Sequence, residues 1–317
     1  MSKHLHGLWA LLILLILPAV AISQIQAVGQ PKVLVDAKGN LFQNPVWSPD
    51  GNSFAFTSVQ YQGIWVADKN GENIRQLTGK NAGYRFSWTS DSKGILSRVS
   101  QTVNRRKQSA LVLFDKDSQS EHQLTEFRSG QNALPQWVPF EDKMVLILGN
   151  KIEVMEVGKS SGQNILRSNQ FSNLQEAQEL VKSQGDRTNS KDISPFEDAF
   201  YLNPQVSPDG QKLAFEIYGG NMYVMNVDGT RLIDLGPGHR PQWSPDSRYI
   251  LANRTTDDGH NITKADIIAF SVDGKEKINL TTGTSLIAMN PSWSPDDKSI
   301  LFNDPNTGNI YSLEISR

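Results

Sequence analysis

The chain has 317 residues, of which 38% are hydrophobic and 20% charged, and its formal net charge is −2. This near-neutral balance offers no basic field for nucleic acid, so we expect no nucleic-acid partner. The absence of cysteine excludes disulfides, thiolate chemistry and cysteine metal sites, so a hydrophobic core must hold the fold together.

Residues 1–23 have the layout of a secretory signal peptide. Lys3 gives a positive start, residues 8–22 form an apolar run, and Ala21-Ile22-Ser23 offers small residues for cleavage before Gln24. The run is shorter than the ~20 residues that span a bilayer, so we predict a cleaved signal and no stable membrane span in the mature protein. An uncleaved anchor is the alternative. A signal peptide on a chain without cysteine fits a bacterial periplasmic or secreted protein.

One short motif recurs six times along the rest of the chain. Its fullest form is Trp-Ser-Pro-Asp, and most copies stand roughly 40–50 residues apart, which is typical of a four-stranded propeller blade. The residues at its first position are Trp47, Trp88, Trp137, Val206, Trp243 and Trp293.

The first copy shows how one repeat is expected to fold. Pro45-Val46-Trp47 predicts a short inner strand, and Ser48-Pro49-Asp50-Gly51 predicts a type I turn. Apolar strands at residues 54–57 and 64–67 follow, and a hairpin signal leads to a fourth strand at 74–78. Such a sheet buries both faces only by packing against neighbouring copies.

The last copy lacks a fourth strand, and a surplus strand stands at the other end of the chain. The sixth copy supplies only 300–302 and 310–313, whereas residues 32–36 form a strand ahead of the first copy. We therefore predict that the N-terminal strand completes the last blade and closes the ring. The expected fold is all-β, a six-bladed β-propeller of four-stranded antiparallel blades forming one domain over residues 24–317.

Three long segments are expected on the face where the inner strands begin. Two are loops, at 99–109 with Arg105-Arg106-Lys107 and at 253–264 with Asp257-Asp258. The third is an insertion at about 167–202 between blades three and four, in which helical spacing of apolar residues predicts a short amphipathic helix. That helix either covers the channel mouth as a lid or packs on the rim. Because loops on a rigid scaffold commonly carry binding residues, the face with the long segments is predicted to be the functional face.

Strand alternation predicts a ligand site at the mouth of the central channel. The residues one and three before each motif share a face, while the Trp side chains pack between blades. The channel-facing set is Asn44 and Val46, Arg85 and Ser87, Leu134 and Gln136, Asn203 and Gln205, Arg240 and Gln242, and Asn290 and Ser292. The candidate ligand-binding residues are Asn44, Arg85, Gln136, Asn203, Gln205, His239, Arg240, Gln242 and Asn290. Amides and arginines without a carboxylate suit an anionic or amide-rich ligand, and the alternative is a ring that only hydrates the channel.

Catalytic and metal-binding motifs are missing from the sequence. No Gly-x-Ser-x-Gly nucleophile elbow occurs, and His122, His239 and His260, the three histidines after the signal, lie in different repeats. The Asp-Gly turns lack the full pattern of a calcium loop and are interpreted as hairpins. We therefore expect no enzymatic activity, no cofactor and no metal site.

The repeat resembles that of TolB and its relatives. The resemblance rests on Asn-Pro-x-Trp-Ser-Pro-Asp-Gly followed by an apolar strand and an Asp-Gly hairpin, and it is clearest at residues 44–79, 203–235 and 290–313. It covers residues 30–317 and implies an exported TolB-like propeller. TolB proteins carry an α/β domain ahead of the propeller, whereas only residues 24–43 precede the first motif here.

Together these expectations describe an exported, non-enzymatic binding or scaffold module of the cell envelope. Its expected partner is a protein or peptide segment of an envelope component, with an anionic segment favoured by the arginines at the mouth. The alternatives are a carbohydrate-active lyase or hydrolase built on a propeller, and a purely structural spacer. An enzyme would need a compact set of carboxylates or histidines at the channel mouth.

Overall fold

A computed structural model describes residues 24–317 apart from 85, 130–133, 135, 140, 142 and 157–189. The predicted signal peptide, Arg85 and the helix expected in the long insertion lie outside the described residues. Within the described residues, no helix has the length and apolar composition needed to cross a bilayer.

Six four-stranded antiparallel sheets form the blades of a propeller, as the sequence predicts. Five blades use four strands that follow one another in the chain from the inner strand outward. Blades one and two contain β2 (Phe42–Trp47), β3 (Ser53–Ser58), β4 (Gln62–Asp68), β5 (Arg75–Asn81), β6 (Phe86–Trp88), β7 (Gly94–Val103), β8 (Arg106–Asp115) and β9 (Glu121–Gln123). Blades three to five contain β10 (Gln136–Val138), β11 (Lys143–Leu148), β12 (Lys151–Glu156), β13 (Ser190–Asp192), β14 (Tyr201–Val206), β15 (Lys212–Ile217), β16 (Met222–Asn226), β17 (Ile233–Gly236), β18 (His239–Trp243), β19 (Tyr249–Asp257), β20 (Ile262–Ser271) and β21 (Lys277–Asn279).

The sixth blade joins strands from both ends of the described chain. Its strands are β22 (Met289–Trp293), β23 (Ser299–Asn303), β24 (Ile310–Ser316) and, outermost, β1 (Gln26–Val35). In the outer pair Val33 faces Tyr311. The surplus N-terminal strand therefore completes the last blade, which confirms the predicted closure of the ring and leaves no gap between the first and last blades.

Three tryptophans of the motif hydrogen-bond their own blade to the blade before it. The Nε1 group of Trp88 donates to the Val46 carbonyl oxygen at 3.0 Å, and Trp243 and Trp293 make the same kind of bond at 2.8 and 3.2 Å. This confirms for these three the predicted packing between blades. Trp47 differs, because its buried Nε1 finds no acceptor among the described residues.

Side chains hold the Ser-Pro-Asp turns closed. The Ser48 hydroxyl shares its single proton between Asp50 Oδ1 at 2.6 Å and the Ser53 carbonyl oxygen at 2.7 Å, and the Gly51 N–H donates to the Ser48 carbonyl oxygen at 3.0 Å. The same bond from serine or threonine to aspartate recurs in four other blades at 2.5–2.6 Å. We call the side of the ring that carries these turns the turn face, and the opposite side, where the inner strands begin, the mouth face.

Two segments predicted as loops on the mouth face are extensions of strands. β7 and β8 stay paired out to Val103 and Arg106 and turn at Asn104-Arg105, while β19 and β20 stay paired out to Asp257 and Ile262. The prediction of loops is wrong because most side chains of these extensions are exposed. Without a buried face, the sequence shows no apolar alternation.

The long insertion occupies a different place from the one predicted. β13, at Ser190–Asp192, is the outer strand of blade three and pairs with β12. The residues between these strands therefore join the third and fourth strands of one blade, and both ends of the connection lie on the turn face. The predicted insertion over 167–202, between blades three and four and on the mouth face, is wrong. A three-residue strand of polar residues gives no apolar signal in the sequence.

Candidate functional site

A central cavity of about 280 Å³ lies between the inner strands. Apart from Arg85, which is outside the described residues, every residue predicted to face the channel lines this cavity. They are Asn44, Val46, Ser87, Leu134, Gln136, Asn203, Gln205, Arg240, Gln242, Asn290 and Ser292. The structure therefore brings the predicted set together, and its role in ligand binding stays a prediction.

A β-bulge in four inner strands shapes the mouth of this cavity. Asn44, Asn203, Arg240 and Asn290 have φ values of +56°, +52°, +59° and +54°. The pairing register of each strand shifts at that residue. The alternation of side chains along a strand does not predict these positive φ values, because a residue before proline is ordinarily extended. Asparagine tolerates the left-handed conformation, so the recurring Asn-Pro pair is the sequence signal for the bulge.

Arg240 departs from the asparagine pattern and reaches across the mouth. Its Nη2 group donates to Tyr61 Oη at 2.8 Å, and Nη1 lies 3.5 Å from Asn44 Oδ1, so that blade five contacts blade one. Its guanidinium carbon lies 5.8 Å from the centre of the Tyr61 ring. The side chain is half-buried, and its contacts with Tyr61 and Asn44 hold the guanidinium in one orientation at the cavity.

Two tyrosines and a second arginine continue this cluster along the rim. The rings of Tyr61 and Tyr84 meet edge to face with centroids 5.0 Å apart, and the Arg98 guanidinium carbon lies 4.8 Å from the Tyr84 ring centre. Arg98 is 7% exposed, and burial lowers its pKa from the ordinary value. These residues were not predicted, because Tyr61 and Tyr84 lie in connections and Arg98 lies in a second strand, whereas the predicted residues lie in or beside inner strands. The signal for the two tyrosines is an aromatic residue in a short loop on the mouth face.

Glu216 places a buried carboxylate beside the mouth, where none was predicted. It is 4% exposed. One carboxylate oxygen accepts the Asn203 side-chain amide and, at 2.5 Å, the Arg240 backbone N–H, and the other lies 3.2 Å from His239 Nδ1. Burial acts to raise the pKa of Glu216, but these hydrogen bonds hold it below its ordinary value, and the hydrogen bond to Glu216 raises the pKa of His239. Glu216 therefore fixes the backbone that carries the Arg240 guanidinium.

Asn303 occupies the corresponding position between blades six and one. Its Oδ1 accepts the Asn290 side-chain amide at 2.8 Å and the Asn44 backbone N–H at 3.1 Å. The same junction is therefore built with a neutral amide in one place and with a carboxylate in another. Aligning the second strands of the repeats reveals both, because Glu216 and Asn303 each follow a buried phenylalanine.

His239 lies beside the cavity rather than on its wall. Its side chain is 52% exposed and faces Glu216 across the junction of blades four and five. The structure thus gives His239 a contact with a buried carboxylate, and its predicted contact with a ligand stays a prediction. Among the described residues there is no group of three or more His, Cys, Asp or Glu side chains arranged to hold a metal ion.

Comparison with known proteins finds similarity in solved structures. No protein-family model matches the chain, and no curated protein sequence matches it. TolB from Acinetobacter baumannii is 16% identical with a TM-score of 0.51, covering 89% of this chain and 65% of TolB. A protein assigned as TolB from Agrobacterium tumefaciens is 15% identical with a TM-score of 0.54, covering 88% of this chain and 91% of its own. An oligogalacturonate lyase in complex with manganese is 11% identical with a TM-score of 0.51, covering 93% and 98%.

At these identities the likeness is one of fold. This chain spans 65% of the length of the Acinetobacter protein, so that protein's partners and activity do not carry over with the fold. The solved structures that resemble this chain include both TolB proteins and a lyase. The chain is a TolB-like six-bladed β-propeller.

Proposed function

We propose that the protein is an exported, non-enzymatic module that binds a protein or peptide segment of an envelope component at the mouth of its propeller. The supporting observation is the half-buried Arg240 guanidinium, oriented over the cavity by Tyr61 and Asn44. A carboxylate matches a guanidinium in charge and in planar hydrogen-bonding geometry. The bound segment therefore carries an accessible carboxylate.

The amides around the cavity suit the backbone of such a segment. Gln205 and Gln242 line the wall, and each side chain offers both hydrogen-bond donors and an acceptor without a net charge. Peptide groups present the same two functions. The wall therefore accommodates peptide groups, while Arg240 selects for a carboxylate.

The test replaces Arg240 with asparagine, the residue that three other blades carry at the same position. Arg240→Asn keeps a side chain that tolerates the left-handed backbone and removes the guanidinium, so we expect the free energy of unfolding to change by less than about 1 kcal/mol. Binding of a fluorescein-labelled oligoglutamate peptide is measured by anisotropy at low salt. We expect the wild type to bind and the variant to bind at least about ten-fold more weakly.

Arg231→Asn is the matched control for this variant. Arg231 also has a positive φ, of +55°, and is exposed, but it lies between β16 and β17 on the turn face. Its replacement removes one positive charge and leaves the mouth intact, so affinity should stay unchanged. An equal loss of peptide affinity in the two variants would mean that only the net charge matters. It would contradict the proposal that the mouth is the binding site.

A catalytic propeller is the alternative, and the pair of Glu216 and His239 is the observation that favours it. A carboxylate next to an imidazole is a type of group that general acid–base catalysis uses. The assay follows cleavage of oligogalacturonates, the substrate named for the similar lyase, in the presence of Mn²⁺. Turnover that disappears in His239→Gln would replace the binding proposal, whereas no turnover would leave it standing.

Export is a separate part of the proposal. It rests on the signal-like residues 1–23 and on the absence of cysteine. A protein expressed with this leader in a bacterium should appear in the periplasm or medium with Gln24 at its N-terminus. A product that keeps residues 1–23 and sediments with membranes would indicate an anchor instead.

A further inference from the structure

Exposed apolar side chains are concentrated on the mouth face. Among the described residues, ten large hydrophobic side chains are classed as exposed, and six of these belong to connections or strand ends on the mouth face. The six are Leu41, Val59, Val103, Phe200, Tyr218 and Ile262. Two of them are the most exposed of the ten, Phe200 at 67% and Tyr218 at 75%, and both belong to blade four.

Phe200 and Tyr218 lie opposite each other, one residue beyond the paired ends of β14 and β15. The Tyr218 N–H donates to the Phe200 carbonyl oxygen at 2.9 Å and continues the ladder in which Leu202 faces Glu216. Residues directly opposite each other in an antiparallel pair project to the same side of the sheet, and alternate residues share that side. The two aromatic side chains therefore lie on the side of blade four that carries Glu216.

The aromatic pair stands at the rim of the junction that orients Arg240. Tyr218 lies two residues beyond Glu216, a step of about 7 Å along a strand. Glu216 in turn binds the His239 ring and the Arg240 backbone N–H. An apolar surface, an imidazole and a guanidinium therefore follow one another from the rim towards the cavity.

The hydrophobic core of blade four does not use these two rings. Its cluster contains Tyr201 and Phe215, with Phe196 and Tyr223 packed against it. Adjacent exposed aromatic side chains are enriched where a protein binds another chain, because they bury a large area at a low cost in conformational entropy.

The surface charge of the mouth face is mixed, since Arg105, Arg106 and Lys107 are exposed at the tip of the β7–β8 hairpin while Asp257 and Asp258 are exposed at the tip of the β19–β20 hairpin. The cation at the cavity itself is Arg240, and a guanidinium binds a carboxylate through matched charge and geometry. The segment that fits therefore offers a carboxylate to Arg240 and an apolar side chain to the aromatic pair.

We propose that the bound segment is a peptide of a partner protein in which a large apolar side chain stands close to a carboxylate. The apolar side chain packs on Phe200 and Tyr218, and the carboxylate binds the Arg240 guanidinium. This inference rests on the proposed function and names the class of segment that the same mouth selects. In this proposal the mouth selects its peptide through both contacts, the aromatic pair and the Arg240 guanidinium.

The test is a selection of random twelve-residue peptides, displayed on phage, against the immobilised mature chain. With the wild type, enriched peptides should carry Asp or Glu within a few residues of a large apolar side chain. With Phe200→Ser/Tyr218→Ser, the carboxylates should stay enriched and the apolar residues should not. With Arg240→Asn, the apolar residues should stay enriched and the carboxylates should not. A peptide selected on the wild type should bind each variant about ten-fold more weakly.

Val28→Ser/Val33→Ser is the matched control, because both valines are exposed on β1, the outermost strand of blade six. It should select the same peptides as the wild type. Enrichment of carboxylates without apolar neighbours, or a set of peptides unchanged by Phe200→Ser/Tyr218→Ser, would overturn this inference and leave the proposed function intact. Failure of the wild type to enrich carboxylates would overturn the proposed function itself, and this inference with it.

Discussion

At two blade junctions, one side chain decides whether the junction responds to pH. Glu216 and Asn303 accept the same pair of donors, namely the bulge side chain of their own blade and the bulge N–H of the next. The amide is neutral at any pH that the fold tolerates. The carboxylate is charged only above its pKa, and it has the titratable His239 as a neighbour. Glu216 and Asn303 therefore share their position and their hydrogen-bond donors, but only Glu216 can carry a charge.

Glu216→Ala should therefore destabilise the protein in a pH-dependent way. The loss of a buried acceptor for two donors costs about 1–3 kcal/mol. Because the pKa of Glu216 is lowered, its contribution is present above the ordinary value of 4.5 and is lost as the pH falls through the lowered value. Because the pKa of His239 is raised, its contribution is present below the ordinary value of 6.5 and is lost as the pH rises through the raised value. The difference from wild type, measured by urea unfolding, should be largest between pH 4.5 and 6.5.

Asn303→Ala provides the comparison at a junction without a titrating pair. It removes the equivalent acceptor and should lower the free energy of unfolding by a similar amount at every pH in that range. A flat profile for Glu216→Ala, or a sloping one for Asn303→Ala, would show that the pair of Glu216 and His239 is not the source of the pH dependence.

At the scale of elements, the indoles of Trp88, Trp243 and Trp293 each join two blades through one hydrogen bond. Trp243→Phe removes the bond to the Gln205 carbonyl oxygen and leaves that carbonyl without its donor. Trp47→Phe removes an Nε1 that has no acceptor among the described residues. We expect Trp243→Phe to lower the free energy of unfolding by about 0.5–1.5 kcal/mol more than Trp47→Phe.

Urea unfolding of the two variants side by side measures this difference, and the shared change from indole to phenyl serves as the internal control. If Trp47→Phe were the more damaging of the two, packing of the ring rather than the bond between blades would explain why the motif carries tryptophan.

The sequence predicts the blades well because their signals are local. The Ser-Pro-Asp turn closes on its own side chains, and the strands beside it are buried on both faces and therefore apolar. The outer strand Ser190–Asp192 carries no such signal, since all three of its residues are polar and exposed. Its place is set by pairing with β12, which the sequence alone does not reveal.

The sequence predicts only part of the site, because only some of its residues stand next to a local motif. Residues of the inner strands could be placed at the channel because each lies at a fixed distance from a repeated motif. The bond from Arg240 to Tyr61 joins residues 179 apart in the chain, and only the closed ring brings them together. Glu216 was missed because the repeats were aligned at their first strands, whereas its junction is made by a second strand.

At the scale of the whole molecule, the pairing of β1 with β24 completes the blade through which the ring closes. Blade six lies between blade five, which carries Arg240, and blade one, which carries Tyr61. If β1 detached, blade six would lose its outer strand and the span that Arg240 bridges would be free to widen. Ring closure and the geometry of the mouth are therefore coupled.

A disulfide across this pair tests the closure directly. Val28 faces Glu314, both are exposed, and the chain has no cysteine of its own to compete. Val28→Cys/Glu314→Cys should form the bond in the folded protein and raise the free energy of unfolding by about 3–5 kcal/mol, because the bond closes almost the entire described chain into one loop. Melting temperatures with and without reductant measure the gain, and the wild type should be indifferent to reductant. Val33→Cys/Glu314→Cys, which joins residues out of register, should form the bond poorly. Equal bond formation in the two variants would mean that β1 does not hold this register, and that the last blade is closed in some other way.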